Sequence, residues 1–184
     1  MHAFSELDHD GRGFIYKEEL GKRLEEQGVG KVTKEELELF MDKFDVDRDG
    51  RLQFSDFCLA MTPLNSEYAQ LLQSRGTYRA QMTQESNVDY LTLWRKLLMV
   101  EQGCECVRLR LQKRPNFSLS EAFSYVDKTG LRALAPIDLK FTLADHGFYA
   151  TDRELAALMD RFDRDRDGRI SFHEFAHELL PRRN

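Results

Sequence analysis

Asp163, Asp165 and Asp167 alternate along the chain, Gly168 follows at once, and Glu174 stands at the twelfth position of the stretch. A hard divalent cation takes 6 to 8 oxygens at about 2.3 to 2.6 Å, so carboxylates at alternate positions can converge on one ion. The carbonyl of Arg169 at the seventh position and Ser171 at the ninth, often through water, complete the ring, and Glu174 supplies two oxygens. Gly168 permits the sharp turn that this convergence needs. At an effective dielectric of about 20, two carboxylates 4 Å apart repel by about 4 kcal/mol, so four converging acids require a cation. The D-x-D-x-D-G-x5-E spacing is that of a calcium loop.

Three further stretches fit the same frame to different degrees. Asp45, Asp47, Asp49, Gly50, the Arg51 carbonyl and Gln53 repeat it, but the twelfth position is Asp56. One methylene shorter, Asp56 reaches the ion with two oxygens only if the loop contracts, so this site is expected to be weaker for calcium or to shift toward six-coordinate magnesium. Asp8, Asp10, the Phe14 carbonyl and Glu19 form a third set, with Arg12 at the fifth position where an oxygen normally stands. A cation there removes a ligand and repels the metal, so only weak binding is expected. The stretch from Asp127 to Asp138 has Leu131 at the fifth position and Arg132 at the glycine position, which reads as a structural loop without metal.

The elements that hold these loops are written into an internal repeat. Thr33–Phe57 matches Thr151–Phe175 without a gap at a constant offset of 118. Each copy opens with Thr-x-x-Glu, a capping box, and continues with apolar residues at helical spacing: Leu37, Phe40, Met41 and Phe44, then Leu155, Leu158, Met159 and Phe162. Helix, acidic loop and helix therefore recur as a unit. Loop starts lie 37 residues apart in the first half and 36 in the second. The apolar residues at the eighth positions, Ile15 with Leu52 and Leu134 with Ile170, are placed to form short antiparallel bridges within each pair.

These loops and repeats resemble the EF-hand proteins of the calmodulin and troponin C superfamily over residues 4–62 and 118–180. The resemblance implies an all-α fold: two lobes of paired hands, four helix-loop-helix units in all, joined by a long helical linker. It also implies calcium ligation by the matching positions in 163–174 and 45–56. The expected domains are 1–62, a 63–117 linker, and 118–184. Only seven residues precede the first loop, so its incoming helix, with Phe4 and Leu7, is about half the usual length. Either the first lobe has a frayed edge or the chain is a piece of something longer.

Loop starts two and three are 82 residues apart, so the middle departs from that family. Thr62-Pro63 closes the first lobe. Asn65 or Ser66 is expected to cap a short helix reaching Arg75 and broken by Gly76. A long helix is expected over about 88–114, beginning near Ser86-Asn-Val-Asp89 and stopped by Pro115. Tyr90, Trp94, Leu97, Cys104 and Leu111 give it an apolar seam beside Arg95, Lys96, Arg108, Arg110, Lys113 and Arg114. A basic amphipathic helix with an aromatic anchor is what calcium-opened lobes grip. Docking of this helix on its own lobes, as latch or scaffold, is one expectation; a core helix that joins and rigidifies the lobes is the plainer one.

Composition removes other classes. The 184 residues carry a net charge of minus five, divided as minus six over 1–62, plus three over 63–117 and minus two over 118–184. Acidic flanks argue against nucleic acid. The longest apolar runs are about five residues, far short of the roughly 20 a membrane span needs. Three cysteines do not make a disulfide framework, and the N-terminus is no secretory signal, so a cytoplasmic place, in one version cytoskeletal, is expected. His173-Glu174-Phe-Ala-His177 matches the zinc-protease H-E-x-x-H, but Glu174 already closes a calcium loop and cannot also be a free base. The sequence thus reads as a non-enzymatic calcium-binding regulator or adaptor engaging a partner helix. A calcium-stabilised subunit of a cytoskeletal or other large assembly is the alternative, and a buffer comes third.

Overall fold

Capping residues and left-handed turns set where the helices begin and end in a computed structural model that describes residues 2–63, 66–74 and 82–182. The chain divides into two compact units, Met1–Cys106 and Val107–Asn184.

The first unit opens with α1 (His2–Leu7), β1 (Phe14–Tyr16) and α2 (Lys17–Gln27). Gly28, at φ 100, ends α2 by turning its amide back to the Glu25 and Leu24 carbonyls, a conformation that costs a side-chain-bearing residue energy. α3 (Lys34–Phe44) starts on the expected box: Glu36 N donates to Thr33 Oγ1 at 3.2 Å and Thr33 N to Glu36 Oε2 at 2.9 Å. β2 (Arg51–Gln53) and α4 (Phe54–Met61) complete the pair. β1 and β2 pair antiparallel with Ile15 opposite Leu52, as the eighth-position residues required. Phe4 and Leu7 are buried, so the short α1 still contributes to the core.

α5 (Ser66–Ser74) follows; Asn65, Arg75 and Gly76, expected at its ends, lie outside the described residues. α6 (Gln84–Gln112) is the long helix, and it begins four residues before the expected start. Its cap is Thr83, whose Oγ1 accepts Ser86 N at 3.2 Å. The expected cap residues Ser86 and Asp89 are inside the helix.

The apolar seam of α6 also differs. Trp94 and Leu98 are fully buried in the first unit's core, with Tyr90, Leu91 and Leu97 against it. Trp94 lies 5.1 Å from Phe40 and 6.3 Å from Phe57 between ring centroids. Arg95 Nη1 donates to Glu36 Oε1 at 3.1 Å, so the carboxylate that caps α3 also receives a cation from α6. Beyond Leu98 the buried positions at helical spacing are charged, Glu101, Glu105 and Arg108, while Met99, Val100 and Val107 are exposed. Arg108, read from the sequence as one of the basic residues beside the seam, is itself buried. Burial pushes the Tyr90 phenol up to about 12.

The second unit contains α7 (Leu119–Val126), α8 (Pro136–Asp145), α9 (Asp152–Phe162) and α10 (Phe172–Leu179) around a core of Phe123, Leu134, Met159, Ile170 and Phe175. Leu134 and Ile170 form the antiparallel bridge anticipated from the sequence. α9 repeats the capping box of α3 through Thr151 and Glu154. In α10, Glu178 is buried and receives three guanidiniums: Arg108 Nη2 at 2.6 Å, Arg161 Nε at 2.7 Å and Arg182 Nη2 at 3.0 Å. Arg108 Nε also donates to the Glu178 carbonyl at 2.6 Å.

Candidate metal sites

The four loops follow one backbone course. Residues at the fourth and sixth positions are left-handed in every one: Gly11 and Gly13, Arg48 and Gly50, Gly130 and Arg132, Arg166 and Gly168. The course needs a hydrogen-bond acceptor at its head, which the first-position aspartate provides. Asp8 accepts the amides of Arg12 and Gly13 at 3.0 and 2.8 Å, and Asp45 those of Asp49 and Gly50 at 3.3 and 2.9 Å. Asp127 accepts Leu131 and Arg132 at 3.1 and 2.9 Å, and Asp163 accepts Asp167 and Gly168 at 3.2 and 2.8 Å. The twelfth residue caps the outgoing helix in each loop by accepting the ninth residue's amide. A loop can thus keep the fold of a hand without metal-binding chemistry. What separates the four is what else surrounds the twelfth side chain.

In the fourth loop, Glu174 Oε1 accepts Arg164 N at 2.8 Å and Asp165 N at 3.4 Å, while Oε2 accepts Ser171 Oγ at 2.7 Å. Glu174 therefore reaches across to the head of the loop. Asp163, Asp165 and Glu174 each offer a carboxylate oxygen, all within 4.8 Å of one another. Burial works against ionised Glu174, but the Ser171 hydroxyl and amide and the Arg164 and Asp165 amides outweigh it and hold its carboxyl below the usual range. The Asp167 amide pulls Asp165 down; burial and the charges of Asp167, Glu174 and Asp163 overcome it and push that carboxyl up. Carboxylates gathered this closely are a donor set suited to a hard cation. Glu174 faces this group, not the histidines of the H-E-x-x-H string.

The second loop gathers Asp45, Asp47 and Asp49 within the same reach and leaves Asp56 outside that group. Burial, set against the Gln53 amide and reinforced by the three loop aspartates, pushes the Asp56 carboxyl up. Gln53 Nε2 donates to Asp47 Oδ2 at 2.9 Å and Asp49 Oδ2 at 3.4 Å, bridging the acids with the wrong end of its amide for metal ligation. Serving an ion requires Gln53 to turn its carbonyl inward and Asp56 to move closer.

The third loop satisfies its own twelfth residue. Asp138 is fully buried and accepts Thr129 N at 2.9 Å, Thr129 Oγ1 at 3.3 Å and Ala135 N at 2.8 Å. In the first loop, Glu19 is engaged by Arg12, with Nη2 at 2.6 Å from both carboxylate oxygens. Asp8, Asp10 and Glu19 do not form a metal-ligating group among the described residues. Sequence spacing marked Arg12 as a repelling charge and missed it as a partner, because the pairing depends on the curl of the loop.

A hollow of about 560 Å³ lies on the second unit, lined by Leu143 of α8, Phe148 and Tyr149 of the following turn, and Ala157, Leu158 and Arg161 of α9, with Glu154 at its side. Phe148 and Tyr149 are 67% and 85% exposed, large for aromatic side chains. The offset of 118 places Glu154 and Leu158 where Glu36 and Phe40 stand in the first unit. There, those two positions hold Arg95 and Trp94.

No described helix is long and apolar enough to cross a membrane. Residues 1–62 match the family described as an EF-hand domain pair, and residues 155–180 match an EF hand. The chain is 22% identical over 149 residues to calcium-binding protein CML19 of Arabidopsis thaliana, covering 80% of this chain and 83% of that protein. It is 30% identical over 145 residues to calcium-binding protein 7 of Rattus norvegicus, covering 75% of this chain and 62% of the relative. It is also 26% identical over 173 residues to calcium-dependent protein kinase 9 of Oryza sativa subsp. japonica, covering 94% of this chain and 22% of the kinase. The chain spans less than two thirds of these last two relatives.

Proposed function

Because the chain belongs to the EF-hand, calmodulin-like superfamily and calcium is its ion, we propose that it is a non-enzymatic calcium-responsive regulator whose second lobe senses the ion and engages a partner helix. Asp163, Asp165, Asp167, the Arg169 carbonyl, Ser171 and Glu174 hold calcium in this reading. Asp45, Asp47, Asp49, the Arg51 carbonyl, Gln53 and Asp56 form a weaker site that also admits magnesium. Calcium, when bound there, would supply positive charge against the mutual repulsion of the gathered carboxylates.

The observation that carries the partner-binding reading is the hollow beside Leu158 and Glu154. In the first unit the equivalent surface, around Phe40 and Glu36, is covered by the Trp94-Arg95 step of α6. The chain itself thereby illustrates what the open surface suits: an amphipathic helix carrying a large apolar anchor next to a basic residue. Glu154 receives the base, and Leu143, Phe148 and Leu158 receive the anchor. On the first lobe, α6 is read as permanent scaffolding.

Calcium titration of chelator-treated protein with a hydrophobic-dye readout tests this. Dye fluorescence is expected to rise with occupancy of the 163–174 loop, and Leu158→Glu is expected to abolish the rise while leaving calcium affinity within a factor of about three. A response that survives Leu158→Glu unchanged refutes the assignment. The alternative of a calcium-stabilised structural subunit draws on the three arginines holding Glu178, which restrain α10. That reading requires calcium to raise thermal stability with no dye response.

A further inference from the structure

The first loop has the backbone of a metal-binding hand. Gly11 and Gly13 are left-handed at φ 64 and 83, and Asp8 accepts the amides of Arg12 and Gly13 as its counterparts do. At the place where the fifth residue normally directs an oxygen to the ion, this loop carries a guanidinium. Arg12 Nη2 donates to both Glu19 oxygens at 2.6 Å and lies 3.6 Å from Asp10 Oδ2. Its carbon lies 5.2 Å from the centroid of the Phe14 ring and 5.4 Å from that of Tyr16. Arg51 of β2 lies over the same rings at 4.6 and 5.7 Å. Lys22 and Arg23 line the same hollow as Asp8, Asp10 and Glu19, so three acids face three bases.

We propose that the Arg12 guanidinium is the resident cation of the first loop, joining the third and twelfth positions in place of calcium and holding this hand closed whether or not calcium is present. A guanidinium is planar, permanently charged and stacks on aromatic faces, so it can be fixed by two carboxylates and two rings together. Tethered to the loop, it cannot be lost by dilution or removed by a chelator. A divalent ion entering the loop meets a fixed positive charge and lacks the fifth-position oxygen. This inference goes beyond the proposed function, because it concerns a loop to which that function assigns no ion.

The decisive measurement uses the full unsubstituted chain, isotope-labelled and followed by NMR from chelator to saturating calcium. The Gly13 amide and the Arg12 Nε–H are expected to stay in place while the Gly168 amide moves, the latter serving as control for the sensing loop. A calcium-saturable movement of Gly13 matching that of Gly168 overturns the proposal. Two substitutions give a second reading by calorimetry. Arg12→Asp removes the resident charge and restores an oxygen, so it is expected to gain one calcium-binding event over the parent. Glu19→Gln is expected to lower the melting temperature of the chelated protein and leave the number of binding events unchanged. A folded Arg12→Asp that gains no event, or a Glu19→Gln that loses one, overturns the proposal; if either variant fails to fold, the NMR result decides.

Discussion

Asp163 is buried and accepts the amides of Asp167 and Gly168, whereas Asp165 is exposed. Substitutions at the two should therefore differ in kind. Asp165→Asn is expected to weaken the main calcium-binding event at least tenfold, seen by calorimetry. Against the Asp167 amide, burial and then the neighbouring acids raise the Asp165 carboxyl, so its protonated form favours the fold below the ordinary carboxylate range and that gain is lost as pH rises through the raised value. Asparagine imitates the protonated form, so chemical denaturation in chelator should find Asp165→Asn no less stable than the parent. Asp163→Ala, in contrast, strips acceptors from two loop amides and should cost about 1 to 3 kcal/mol even in chelator. These loop carboxylates were legible because they alternate within one short stretch and the spacing alone brings them together. The use of Arg12 by Glu19 and of Thr129 by Asp138 was not, since each pairing joins residues seven or nine apart through a particular loop curl.

Helix α9 shows how an element that is legible in sequence can still differ from its twin. Thr151 and Glu154 cap it as Thr33 and Glu36 cap α3. Glu36 is buried and paired with Arg95, while Glu154 is exposed beside the hollow. The Thr151 amide, then its hydroxyl, hold the Glu154 carboxyl below the usual range. A depressed carboxyl contributes stability above the unfolded value of about 4.3, and that contribution disappears as pH falls through the depressed one. Carbon-detected NMR should place the Glu154 titration below that reference, with α9 amides shifting as the cap is lost. In α6, Trp94→Ala should cost about 3 to 5 kcal/mol in equilibrium unfolding, whereas Val100→Ala, on an exposed face, should stay within about 0.5 kcal/mol. The sequence placed Trp94 on a seam and missed Leu98. It also missed the buried charges at Glu101, Glu105 and Arg108, because a charged side chain ordinarily signals solvent.

Across the whole molecule, the two units use related hands for different ends: the first keeps its apolar surface covered by α6, and the second leaves a hollow open. Trp94 is the chain's single tryptophan and is fully buried. Its emission should therefore be blue-shifted in chelator and stay so on calcium addition, under the same conditions in which dye binding rises. A red shift on calcium would make α6 a latch. Stability of the second unit should depend strongly on Glu178, which faces three arginines. Glu178→Gln leaves those guanidiniums without their carboxylate and should cost about 3 to 5 kcal/mol. Arg108→Ala, which leaves Glu178 with Arg161 and Arg182, should cost less when both are compared by thermal unfolding.

The four loops, their pairing through Ile15 with Leu52 and Leu134 with Ile170, the repeat and the family could all be read along the chain, because they are local spacings that backbone geometry converts directly into structure. Only the folded chain reveals that Glu174 reaches the head of its loop while Asp56 does not, that Arg12 satisfies Glu19, and that Trp94 covers Phe40 while Leu158 borders an open hollow. Each of these turns on which side chains meet in space. That meeting is fixed by packing and charge between residues from different elements, or across a curled loop, about which spacing along the chain carries no information.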